Sequence, residues 1–436
     1  MTTPTGWLSR ILAASLMILL ALSSQVASYA QQPFHLSIDQ AYQLARENYP
    51  LIKQRNLIAK TRDYTLLNAA KGFLPTLTIN GQATYQSAVT SFPFDIPIPG
   101  FKLPTFNKDQ YKLYAQVDQV IYDGGAIKNQ QQIAEANQVI QQQNIEVELY
   151  ALYDRVNQLF FGTLLINEQL IQNTLLQKDI QNGIDKAKAL VANGTAFRSS
   201  VDEITAQLLQ AQQSQTELQA NRKAFLDMLG LMINQHLDEQ TILDSPPTPN
   251  LTDSIQRPEL LFYDLQRTTY DLQDQLLKIQ LLPKFSAYLQ GGYGRPGLNL
   301  LSNDFALYYI GGVRMNWNLG SYYTLKNQRE LSGINRKSLD VQKESFLFNA
   351  RITQKQQNAD AEKYLELLKK DDDIIRLRES VKHAASAQLE NGVLSAHDYL
   401  TSVNSEDQAR QNRILHQMQR LQAQYNYQNT TGNIKN

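Results

Sequence analysis

Few side chains in this 436-residue chain could do chemistry, and their spacing does not favour it. There is no Cys, which excludes a thiol nucleophile, a disulfide framework, Cys-ligated zinc and a lipidated N-terminal Cys. Five His are scattered without HExxH or HxH, so no metal site is expected. His397 and Asp398 are adjacent. On a helix they would point about 100° apart and could not act as base and orienter, which leaves a hydrolase without a catalytic set. No catalytic residue and no cofactor is expected. Asp371-Asp372-Asp373 reads as a solvated helix face. The sharpest local signals are two turn signals, Asn193-Gly194 and Asn391-Gly392, with Asp202 and Asp398 following. Gly after Asn lets the backbone take positive φ and reverse cheaply.

The elements around these turns are set by composition. Lys+Arg and Asp+Glu are each 41, so the net charge is zero and no basic face for nucleic acid is expected. Charged residues are only 19%, while Gln is roughly one residue in nine. A chain so rich in uncharged amides suits long solvated helices better than a compact catalytic core.

Residues 1–30 read as a signal peptide. Arg10 precedes an unbroken apolar run, Ile11 to Leu22, and small residues lead to Ala30, where cleavage is expected. The run is too short to span a bilayer, and no later stretch reaches eighteen apolar residues. The mature chain therefore crosses a membrane as a barrel or not at all.

The rest is a duplication. Pro50 and Pro258 are separated by the same 208 residues as Pro75 and Pro283. Asn193-Gly194 and Asn391-Gly392 are separated by 198, as are Ile127 and Leu325, which open matching segments. Residues 31–243 form the first repeat and 258–436 the second, joined by a Pro-rich connector, 244–257. Each half reads helix, strand, loop, strand, very long helix, Asn-Gly turn, long helix.

Alternation with a period of two predicts strands at about 76–85, 110–121, 284–293 and 305–317, with aromatics near their ends. Such segments mark an outer-membrane barrel, although a half-buried soluble sheet alternates in the same way. Four strands cannot close a barrel, and open edges are not tolerated in lipid. Several chains must then share one. Apolar steps of three and four, Ile145, Leu149, Leu152, Val156 and onward to Val191, predict a coiled-coil seam. The helical hairpins are expected at 126–229 and 325–427, with long arms of roughly 100 Å at 1.5 Å per residue.

Taken together, the signal peptide, the duplicated halves, Arg257-Pro258-Glu259-Leu260, Leu282-Pro283 before a strand and the two Asn-Gly turns resemble the TolC-type outer membrane efflux proteins. The resemblance runs from about Leu36 to Tyr427. It implies a mainly α fold with membrane β: a homotrimer whose twelve strands share one barrel, continued by a periplasmic coiled-coil tunnel. It implies a passive conduit of a tripartite efflux or type I secretion system in outer-membrane lipid, working with a periplasmic adaptor and an inner-membrane pump. Asn193, Gly194, Asn391 and Gly392 would be adaptor-docking tips. Asp398 falls where members often carry an acid lining the closed aperture, although it could equally be a solvated or capping acid. Thr401 stands where some members have a second acid, and Leu389 where an aromatic is frequent. An exported structural or adhesive coiled coil is the alternative, and it leaves the paired strands unexplained.

Overall fold

Four antiparallel strands carry the alternation. They are β2 (Thr76–Tyr85), β3 (Asp109–Tyr122), β5 (Lys284–Arg295) and β6 (Ala306–Asn316), in the order β2-β3-β5-β6. The computed structural model describes residues 34–89, 107–299 and 302–434. The expected signal peptide and most of the β2–β3 loop lie outside the described residues. Two further strands, β1 (His35–Leu36) and β4 (Ile242–Leu243), pair in parallel and were not expected from the sequence.

The helices are α1 (Ile38–Asn48), α2 (Gln54–Ala70), α3 (Ala126–Tyr150), α4 (Leu152–Ala192), α5 (Arg198–Ile233), α6 (Pro258–Ile279), α7 (Ser321–Glu390) and α8 (Ala396–Thr431). The first long arm is interrupted at Ala151, whereas the second is one 70-residue helix. No described helix is apolar and long enough to cross a membrane.

By contacts the chain divides into two compact units, each drawing on both halves of the repeat. One contains the residues up to Asn48, Asp154–Pro249 and Asp360–Ala423. Its apolar seam is Ile180, Ile184, Ala187, Ile204, Ala211, Ala385, Leu389, Tyr399, Leu400 and Val403, contributed by the two hairpins α4–α5 and α7–α8. These are the three- and four-residue steps expected of a coiled coil.

The other unit contains Tyr49–Tyr153, Asn250–Ala359 and the chain from Gln424. Within it α6 packs on α3, and the Asn129 amide donates to the Leu272 carbonyl at 3.2 Å. Pro258 opens α6 at its first turn, where the missing N–H costs nothing. Arg257 beside it pairs with Glu259 and stacks over the Tyr150 ring, 4.3 Å from its centroid. It also donates to the Asn429 carbonyl near the end of α8. The Arg-Pro-Glu run is thus a joint fastening α3, α6 and the C-terminal turn of α8.

Candidate functional site

The two Asn-Gly turns close with the same hydrogen bonds. In the first, Thr195 N–H donates to the Leu190 carbonyl at 2.9 Å and Gly194 N–H to the Val191 carbonyl at 3.0 Å. In the second, Val393 N–H donates to the Gln388 carbonyl at 2.9 Å and Gly392 N–H to the Leu389 carbonyl at 2.9 Å. Both are Schellman caps, which need a left-handed residue after the last helical turn. Gly194 has φ +74° and Gly392 φ +72°. Asn193 is exposed, and the Asn391 amide donates to the Ala387 carbonyl at 2.8 Å.

Asp398 is the third residue of α8. Ser395 is the N-cap: its Oγ accepts the Asp398 N–H at 3.1 Å and donates to the Asp398 carboxylate at 2.6 Å. The pair satisfies an orphan amide and puts an acid at the positive end of the helix. Thr401 is exposed and returns its hydroxyl to the His397 carbonyl. Leu389 is 2% exposed, a core residue of the seam. His397 does not engage Asp398; its Nδ1 lies 3.0 Å from Glu203 of α5.

Other polar contacts in this unit were not read from the sequence. Lys382 reaches Asp179 at 2.7 Å and Glu406 at 3.3 Å, with side chains 14% and 3% exposed for Lys382 and Glu406. Burial opposes the charge on Lys382, yet the two carboxylates together hold its pKa above the ordinary lysine value. Glu406 also pairs with Arg410. Next to it, burial pushes the Asp407 carboxyl up, against a 2.9 Å hydrogen bond from Gln172. Tyr399 donates to the Asp179 carbonyl at 2.9 Å, and burial pushes its hydroxyl up to about 12. Gly183 makes room for that ring: a Cβ there would lie 2.4 Å from it. Lys186 bonds Ser386 at 2.8 Å and Glu390 at 2.9 Å, tying α4 to α7.

The acidic run is not uniformly solvated. Asp372 and Asp373 are exposed and pair with Arg413 and Arg376, but Asp371 is buried against His416 Nδ1 at 2.7 Å. His416 in turn stacks on Tyr364. One step along a helix turns Asp371 about 100° from Asp372, enough to move it from water into the seam between α7 and α8.

The sheet presents its apolar side chains to the outside. Leu77, Ile79, Leu113, Leu289, Val313 and Met315 are exposed, and Leu307 and Tyr309 are 85% and 78% exposed. The opposite face is polar and includes Gln82, Lys112, Gln116, Asp118, Gln290 and Arg314. A soluble half-buried sheet would bury the first face and wet the second. At the loop end Tyr85, Tyr111, Tyr293 and Phe305 form an aromatic row, with Tyr293 and Phe305 centroids 5.4 Å apart. At the helix end Tyr122, Phe285 and Trp317 form another. A bulge between Val120 and Tyr122 brings Tyr122 into register with Phe285 on the apolar face. An apolar band between two aromatic rows is the pattern of a sheet in lipid.

Residues 41–234 match the model of the outer membrane efflux protein family. The same fold extends over the rest of the chain. VceC, an outer membrane protein of Vibrio cholerae, is similar over 91% of this chain and 96% of its own, with a TM-score of 0.63 at 12% identity. CusC is similar over 94% and 95%, with a TM-score of 0.66 at 12% identity. The chain has the fold of these outer membrane channels, and its residues 41–234 are similar in sequence to outer membrane efflux proteins. The open state of MtrE, an outer membrane channel of Neisseria gonorrhoeae, is also similar, over 91% and 88%, with a TM-score of 0.64 at 14% identity. No curated protein sequence matches the chain. The described residues have the mainly helical fold with alternating strands expected from the sequence, and the four-stranded sheet of the single chain is open.

Proposed function

We propose that three copies of this chain join the free edges of β2 and β6 into one twelve-stranded barrel in the outer membrane, with the long helices in the periplasm. The chain then serves as the passive conduit of a tripartite efflux or type I secretion assembly. The observation that carries this is the sheet: four strands, two unpaired edges and an uncovered apolar face. In lipid the apolar face is in its proper solvent, but the edges must be paired by further strands. An adhesive coiled coil would have no use for such a surface.

The two Schellman turns are the proposed docking tips for a periplasmic adaptor, itself coupled to an inner-membrane pump. Both tips present exposed side chains, Phe197 in the first and Val393 in the second, at 83% and 77% exposure. Three-fold symmetry would also bring three Asp398 carboxylates around one axis. Such a ring favours cations, so the resting aperture should be cation-selective and blocked by multivalent cations. Thr401 adds no second acid layer, and Leu389, held in the seam, does not line the opening.

Leu289→Arg tests the assignment of the faces. Leu289 is exposed on the apolar face of β5, midway between Phe285 and Tyr293 of the two aromatic rows. At mid-bilayer this change costs about 2–4 kcal/mol, and it costs little on a wet surface. The proposal expects the variant to be depleted from outer-membrane fractions, with Lys112→Gln on the polar face retained. Equal recovery of Leu289→Arg and wild type would overturn it.

A further inference from the structure

The polar face of the sheet carries a built cluster that neither barrel closure nor docking uses. Asp118, Tyr288 and Gly312 stand opposite one another across β3, β5 and β6. The Arg314 guanidinium lies over the Tyr288 ring, 4.6 Å from its centroid, and its Nη1 is 3.7 Å from the Asp118 carboxylate. The other Asp118 oxygen accepts from the Gln116 amide at 2.6 Å. Gly312 leaves the space for this stack, since a Cβ there would lie 3.3 Å from the Tyr288 ring and hydroxyl. A guanidinium is planar, with two faces and an N–H edge that fits a carboxylate. Here one face is on Tyr288 and the edge is turned toward Asp118, at a distance too long for a strong hydrogen bond. The Arg314 side chain is 52% exposed, so a solute can reach the guanidinium.

We propose that Arg314, backed by Tyr288, is a binding site in the barrel lumen for planar aromatic anions, with Asp118 as the internal competitor for its N–H edge. The inference rests on the trimeric-barrel reading, which makes the polar face the lumen. Twelve strands about 4.8 Å apart and tilted about 40° enclose a backbone ring roughly 24 Å across. Arg and Tyr side chains from that wall reach a passing solute. An aromatic carboxylate would stack on the other guanidinium face and place its carboxylate where Asp118 now competes. A cargo of this class would pause at the helix-side mouth of the barrel, because Asp118 and Arg314 lie toward the strand ends that join helices α3 and α7.

The test uses the purified trimer in detergent, with benzoate as probe and saturation-transfer NMR as readout of its dissociation constant. Benzamide controls for charge and cyclohexanecarboxylate for aromaticity. The expected order places benzoate tightest, with Arg314→Gln weakening it about tenfold and Asp118→Asn tightening it. Arg314→Lys keeps the charge without the flat face and should lose the preference for benzoate over cyclohexanecarboxylate. Lys112→Gln and Lys284→Gln remove other cations of the same face and should leave binding unchanged. Unchanged binding in Arg314→Gln, or an equal loss in the two lysine variants, overturns the site. A chain that purifies as a water-soluble monomer would instead overturn the barrel reading itself.

Discussion

Replacing Gly392 by Val isolates what the tip turn requires of its backbone. A Cβ at Gly392 would lie 3.7 Å from Leu190 Cδ2, an ordinary contact, so steric exclusion by neighbours contributes little. At Gly194 a Cβ would meet nothing within 4 Å. The cost is therefore conformational: holding an L-residue at φ +72° costs about 1–2 kcal/mol, and a β-branched side chain stands at the upper end. The loss of glycine entropy in the unfolded chain returns about 0.4–1 kcal/mol globally, but it does not relieve the strain of the closed turn. A local opening made easier by about 1–2 kcal/mol raises the open fraction roughly 5–30-fold. Hydrogen exchange of the Gly392 and Val393 amides, which close the Schellman cap, should accelerate by that factor, while amides in the seam around Val403 stay protected. Gly392→Asn, with a side chain that tolerates the left-handed region, should exchange close to wild type. If the adaptor docks on this turn, cross-linking to it should fall for the Val variant and persist for the Asn variant. Exchange in Gly392→Val that matches wild type would refute the conformational argument.

Lys382→Met leaves Glu406 buried beside Arg410 with one cation fewer and should destabilise the helical hairpins by about 3–5 kcal/mol, read as a lower denaturation midpoint by circular dichroism. Asp407→Asn keeps an oxygen for the Gln172 amide and removes a carboxylate that burial disfavours, so at neutral pH it should be neutral or stabilising; clear destabilisation would show that the charge itself is needed. Tyr399 titrates at about 12 in the fold against 10.0 for the free side chain, so the folded state keeps a proton that the unfolded state releases. Its stabilising contribution is complete below pH 10 and lost as the pH rises through about 12, so the melting temperature of wild type should fall across that window more steeply than that of Tyr399→Phe.

The parts legible in the sequence were those whose signal repeats. Alternation over ten residues located β2 as Thr76–Tyr85, and the helical steps located the seam through Ile145, Leu149 and Val156. Asn-Gly marked both tips because a left-handed cap asks for Gly. The rest depended on contacts between residues far apart in the chain. Strands β1 and β4 have two residues each, too few to show a period. Lys382 meets Asp179 and Glu406 only when two hairpins pack side by side. Asp371 read as solvated because its neighbours are, and only His416, 45 residues on, shows that it is buried. By sequence Asp398 fits an aperture acid or a capping acid; the Ser395 hydroxyl, three residues earlier, makes it part of the helix cap in this chain.

Closure of the sheet by further copies underlies every role proposed for this chain. Native mass spectrometry of the protein expressed from the full 436-residue sequence and extracted in detergent from outer-membrane fractions tests it directly. The account predicts a single species of three chains, because β2 and β6 leave two edges that lipid does not tolerate and four strands are too few to close on themselves. A stable monomer from the same fractions would contradict it.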